Sequence, residues 1–196
     1  MTRHEIEIFL SEVNRWILQR ADLDYVRSEL PANVLETNWL GAPPATEADI
    51  LEVESRLGLL LPPSYKDFVR VSNGFLCISP ILGPLLPTTE VTWFRERNQE
   101  IIDSWLEDNQ DDLISDEEYL TYGEEQWRSR TRFGYLQHAI AITGPGDPVI
   151  LLNPKVTFCD GEWEVWSFGT LHAGAKRFQS LGAALLAHVL EIALWK

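Results

Sequence analysis

The sequence predicts an α+β domain of helices and short strands, preceded by an N-terminal helical extension. Three observations carry that expectation. Apolar residues in the first half recur at helical spacing between capping and stop signals. The last third breaks into short apolar segments separated by turn residues. The chain then closes on one more helical pattern, so helices and strands are both present and largely segregated along the chain. The expected organisation is an extension over residues 1–36 and an α+β domain over 37–196.

The elements follow in order. Residues 3–20 place Phe9, Val13, Trp16, Ile17 and Arg20 at helical spacing, with a charged opposite face. A second helical piece is expected from Asp22 to Leu30, stopped by Pro31. Gly41 to Pro44 reads as a stiff, extended entry. Thr46 is the expected N-cap of the next helix, with Glu47 and Asp49 in its first turn and Ile50, Val53 and Leu57 on one face. Gly58 is its natural stop. Pro63 suits the first turn of a short helix, because its missing N–H would have no partner there. Tyr65, Phe68, Val69 and Ser72 share a face of it, Lys66 and Arg70 lie outside, and Asn73-Gly74 is expected to end it in the left-handed conformation.

Residues 75–86 read as irregular or short-strand structure. From Thr88 or Thr89 to Leu106 the pattern is helical again, through Val91, Phe94, Ile101, Ile102 and Trp105. Glu107 to Glu118 reads as loop and Tyr119–Tyr122 as a strand. Strands are expected at 138–143, 149–152, 155–159 and 162–167, with GPGD (144–147), Asn153-Pro154 and Asp160-Gly161 as turns. Alternation puts Trp163, Val165 and Ser167 on one face of the last strand, and Glu162, Glu164 and Trp166 on the other. Phe178 to Leu194 closes the chain as a helix.

Composition narrows the function. The chain has 196 residues, 45% hydrophobic and 11% aromatic with eight Trp, enough to build a core. Its apolar runs are far shorter than a bilayer span, and charges interrupt the N-terminal segment, so neither a transmembrane helix nor a signal peptide is expected; the expected location is the cytoplasm. Cys77 and Cys159 form no CxxC and are expected as free, partly buried thiols. The formal net charge of −14 disfavours nucleic acid and anionic lipid and steers the chain toward basic partners. Asp103 to Glu125 holds ten carboxylates and no Lys or Arg. Such a run is either a solvated face or an electrostatic docking surface.

No catalytic signature is present. The chain lacks GxSxG, HExxH, GxxxxGK[ST] and GxGxxG. His4, His138, His172 and His188 share no ligand spacing, so no metal or cofactor is expected. Glu162 and Glu164 sit two apart, as a glycosidase pair might, but thirty acidic residues make such pairs plentiful.

Trp39, Gly41, Pro44 and Ala45, followed by Glu54, Leu57, Gly58, Leu61, Pro62, Tyr65, Lys66, Phe68 and Asn73-Gly74, form an ordered motif. It resembles the SUKH superfamily, and within it the branch named for the fungal cell-wall synthesis regulator. LLPTTEVTWF (85–94), YLTYG (119–123), VILLNP (149–154), GEWEVW (161–166) and GAKRFQSL (174–181) extend the resemblance over residues 37–190. The resemblance implies an α+β domain in which helices pack on a mixed or antiparallel sheet of short strands, with a non-enzymatic binding role. Many bacterial members are immunity proteins that neutralise a cognate toxin, often a nuclease; fungal members are regulators acting through protein contacts. The expected partner is therefore a toxin or another basic protein, with a regulatory or scaffold module as the alternative. The expected contacts are Asp103, Glu107, Asp108, Asp111 and Asp112, then Asp116, Glu117 and Glu118, and the strand face of Glu162, Glu164 and Trp166.

Overall fold

The computed structural model describes residues 1–19, 30–76, 78–79, 81–108 and 114–193. Helix α1 spans Arg3–Gln19. Its buried face is Ile6, Leu10, Val13 and Ile17, while Phe9 and Trp16 lie half-buried at its border. The helix expected from Asp22 to Leu30 falls outside the described residues, apart from Leu30 itself. Pro31, expected to stop that helix, precedes a short helix α2, Ala32–Thr37, which closes on Asn38 in the left-handed region.

Helix α3, Glu47–Leu57, starts as the sequence requires. The Thr46 hydroxyl accepts the Asp49 backbone N–H, and the Asp49 carboxylate accepts the Thr46 N–H, satisfying donors the helix itself leaves unpaired. Gly58, at φ +72°, ends it. Helix α4, Pro63–Val71, follows with Tyr65, Phe68 and Val69 buried. It ends one step before the expected Asn-Gly: Ser72 turns extended, and Gly74 takes its positive φ only two residues later. The motif residues Glu54 and Lys66 pair at 3.3 Å, and Glu54 also accepts the Leu61 N–H. Arg70, expected as a surface charge, is held bidentately by Glu47 at 2.7 and 2.9 Å. Gly41 is demanded by packing. A Cβ there would lie 2.3 Å from the Ser72 hydroxyl and 2.5 Å from the Trp39 indole nitrogen.

A two-residue strand β1, Thr92–Trp93, interrupts the helix expected from residue 88, because both residues pair with a neighbouring strand. Helix α5, Arg95–Asp108, then runs with a kink at Asn98. The segment expected as strand at Tyr119–Tyr122 begins inside a short helix α6, Asp116–Tyr119, capped by the Ser115 hydroxyl. The sheet continues with β2 (Ile140–Ala141), β3 (Val149–Thr157), β4 (Trp163–Gly169) and β5 (Gly174–Phe178). All neighbours are antiparallel, in the order β1-β2-β3-β4-β5. The two expected strands at 149–152 and 155–159 are one, with a register irregularity between Asn153 and Thr157. Strand β5 occupies a stretch not read as strand, and the closing helix α7 starts at Leu181 rather than Phe178.

The sheet is covered on both faces. Val165, Trp163, Ile150 and Leu152 join the core made by α1, α3, α4 and α7. Leu151, Trp166 and Phe168 join a second core with α5, Tyr119 and the 3₁₀ turn Phe133–His138. The period-two reading of β4 therefore holds, but both of its faces are interior. Cys159 is exposed rather than partly buried, and Cys77 lies outside the described residues.

Candidate functional site

The carboxylates expected as contacts between Asp103 and Glu118 divide into three sets. Asp103 and Glu107 project from α5 into water, Asp103 accepting from Gln99 on its own helix at 2.8 Å. Asp108 ends that helix; its side chain and all of Asp111 and Asp112 fall outside the described residues. Asp116, Glu117 and Glu118 form the first turn of α6, where the positive helix end favours them. Asp116 pairs with Arg132 at 2.6 Å, and Glu118 grips Arg130 at 2.7 and 3.0 Å. The Arg130 hydrogen bonds hold the Glu118 carboxyl below its usual range. Glu117 remains exposed.

The expected strand face of Glu162, Glu164 and Trp166 is corrected. Glu164 and Trp166 are fully buried, so neither meets a partner at the surface. Alternation put Glu164 and Trp166 on one face, but it could not say that helix α5 and residues 119–122 cover that face, nor that Glu162, outside the strand, turns to helix α4. Glu162 lies just before β4 and caps helix α4, its two oxygens accepting the Ser64 N–H at 2.8 Å and the Ser64 hydroxyl at 2.5 Å. The two carboxylates therefore do separate structural work rather than forming a catalytic pair.

Glu164 centres a buried polar network. It accepts from the Tyr119 hydroxyl at 2.6 Å, the Tyr122 hydroxyl at 2.9 Å, the Asn153 amide at 2.8 Å and the Trp166 indole N–H at 2.5 Å. Arg177, equally buried, lies 3.7 Å away and balances its charge. The guanidinium sits over the Tyr119 ring at 4.2 Å and donates to the carbonyls of Tyr119 and Thr121. Burial, reinforced by the Glu164 charge, pushes both tyrosine hydroxyls far above their usual range, so they stay protonated donors. The network pins residues 119–122, and with them the acidic turn of α6, onto the sheet.

One pair has the outline of a nucleophile and its base. Ser167 Oγ is 2.9 Å from His172 Nε2. However, His172 Nδ1 lies 3.2 Å from the Arg128 guanidinium, which can only donate. Nδ1 is therefore the acceptor and Nε2 carries the proton, the wrong tautomer for taking one from serine. Burial, then Arg128, also lowers the His172 pKa. A cleft of about 320 Å³ opens between α5 and the end of β4, walled by Phe94, Ile101, Trp105 and Phe168. Asp147 is the one ionisable residue among the described ones that line it, and it accepts from Thr170. Among the described residues no group of three or more His, Cys, Asp or Glu side chains is placed to hold a metal ion.

The residue that sequence reasoning missed is Trp127. It is 71% exposed, between the buried Gln126 and the exposed Arg128. A signal was present: in GEEQWRSR the indole has no apolar residue at strand or helix spacing, so no core face claims it.

The model of the SMI1 / KNR4 family (SUKH-1) matches residues 44–183, well over half of the chain. The match runs from the approach to α3 through β5 and the start of α7, and leaves α1 outside it. No curated protein matches the chain.

Proposed function

Since the chain belongs to the SMI1 / KNR4 family (SUKH-1), we propose that it is a non-enzymatic binding domain that neutralises a cognate toxin in the cytoplasm of the producing cell. The observation that carries this reading is the acidic surface. Asp103, Glu107 and Glu117 face water in a chain of net charge −14, and buried contacts hold the Glu117 segment in place. A nuclease toxin must be basic to hold phosphates, and an acidic inhibitor covers such a surface with fast, salt-sensitive association. The tautomer of His172 and the structural duties of Glu162 and Glu164 also favour binding over catalysis. Among the described residues no helix is long and apolar enough to cross a membrane.

The test is a search of the genes beside this one for a toxin domain, followed by co-expression of the two. Restored growth, a purified complex, and affinity that falls steeply with salt are expected. No rescue and no binding would overturn the toxin assignment. A partner without toxic activity would move the protein to the regulatory branch of the family.

A further inference from the structure

We propose that Leu120, Trp127 and Leu171 form the anchoring ridge for a protein partner whose surface offers an apolar recess rimmed by lysine or arginine. The inference rests on the protein-binding reading above and names where that binding is centred.

Strand β5 and its Arg177 side chain organise the segments that carry the three residues. Tyr119 and Thr121, either side of Leu120, give their carbonyls to the buried Arg177 guanidinium. Gln126 and Arg128, either side of Trp127, bond the backbone edge of β5: the Gln126 amide accepts the Arg177 N–H at 2.6 Å and donates to its carbonyl at 3.1 Å, and the Arg128 carbonyl accepts the Ala175 N–H at 3.0 Å. Leu171 precedes His172, which contacts Arg128. The three side chains are 49%, 71% and 62% exposed, and Trp127 is the one aromatic among the large exposed apolar residues described.

Their exposure is not that of a loose loop. The chain around Trp127 is fixed on both sides by buried polar residues, Gln126 and Thr131, and closes in a turn from the Trp127 carbonyl to the Arg130 N–H. A rigidly presented indole loses little freedom on binding, which is the property of an interface anchor. The charge around it selects the partner. Glu117, Glu124 and Glu125 are exposed, and among the described residues no ion pair engages them; Arg130 and Arg132 are already taken by Glu118 and Asp116, and the exposed Arg128 beside Trp127, turned to His172, is outnumbered by the three carboxylates. A recess rimmed by cations would bury the indole and meet these carboxylates together.

The test uses the full chain and three synthetic amphipathic peptides, a lysine–leucine helix and matched lysine–glutamine and glutamate–leucine helices, with binding read by calorimetry. The lysine–leucine peptide is expected to bind, and Trp127→Ala to weaken it about tenfold or more while the melting temperature holds. Leu171→Asp should weaken it likewise. Glu124→Gln with Glu125→Gln should weaken it and flatten its salt dependence. The acrylamide-quenchable emission lost in Trp127→Phe should become protected when the peptide binds. Absence of binding, unchanged affinity in both Trp127→Ala and Leu171→Asp, or equal binding of the lysine–glutamine peptide would overturn the proposal. The same variants in the toxin co-expression assay separate the two readings. A Trp127→Ala protein that still protects fully removes the ridge and leaves neutralisation standing. Peptide binding at the ridge without rescue by the wild type keeps the ridge and removes the toxin.

Discussion

Replacing His188 with leucine should abolish a specific loss of stability in mild acid. The imidazole is 2% exposed on α7, and neither ring nitrogen has a hydrogen-bond partner among the described residues. Burial pushes its pKa down from 6.5 to about 4; Glu191 opposes the shift, and His172 and Lys176 add to it. Above the unfolded value the ring is neutral in both states and contributes no pH dependence. Between the two values the unfolded chain takes up a proton that the folded chain refuses, so stability falls as pH falls. At about 1.4 kcal/mol per unit, the loss accumulates to about 3 kcal/mol and levels off below the folded pKa. Urea unfolding of the wild type and His188→Leu, stepped from about pH 7.5 to about pH 4.5, isolates the term, because carboxylates common to both proteins cancel in the difference. The difference should widen steadily below the unfolded pKa in favour of the variant. Two curves that stay parallel would refute the reasoning.

Glu164→Leu should cost about 3–5 kcal/mol in urea unfolding by leaving Arg177 charged and buried, and adding Arg177→Leu should recover a large part of it. Hydrogen exchange in residues 115–122 should quicken in the single variant more than in the double. Thr46→Ala removes one half of the capping box at α3 and should cost about 1 kcal/mol. Gly41→Ala should cost about 1–3 kcal/mol, because the new methyl would meet both the Ser72 hydroxyl and the Trp39 indole; the measurement is the shift in urea midpoint.

Helices α3 and α4 were legible because their signals are local. Thr46 and Asp49 cap within one turn, Pro63 opens a helix, and Gly58 takes a conformation that few residues accept. Strand β5 was not legible because Lys176 and Arg177 look like surface charges. Arg177 is buried only because Glu164, from the neighbouring strand, and the carbonyls of residues 119 and 121 meet it there. The same network misled the reading of Tyr119–Tyr122. Its aromatic and β-branched residues suit a strand, but the Ser115 cap winds the preceding turn, and both tyrosines are drawn to one carboxylate. Of the candidate site, the acidity was visible in composition. Which carboxylates face water was not, since Glu164 and Glu107 differ in burial through tertiary neighbours alone.

The side chain of Gln126 has a consequence for how these molecules behave when crowded together. Strand β5 ends the sheet, and a bare terminal strand is a template on which another polypeptide can lay down the next one. Here a single carboxamide imitates a peptide unit, taking both the N–H and the C=O that Arg177 would present outward, while the Arg128 carbonyl takes the N–H of Ala175. The rim is thereby closed by one residue and a turn rather than by a further strand. An indole can stand in solvent beside it without the backbone there offering a seam for fibre growth.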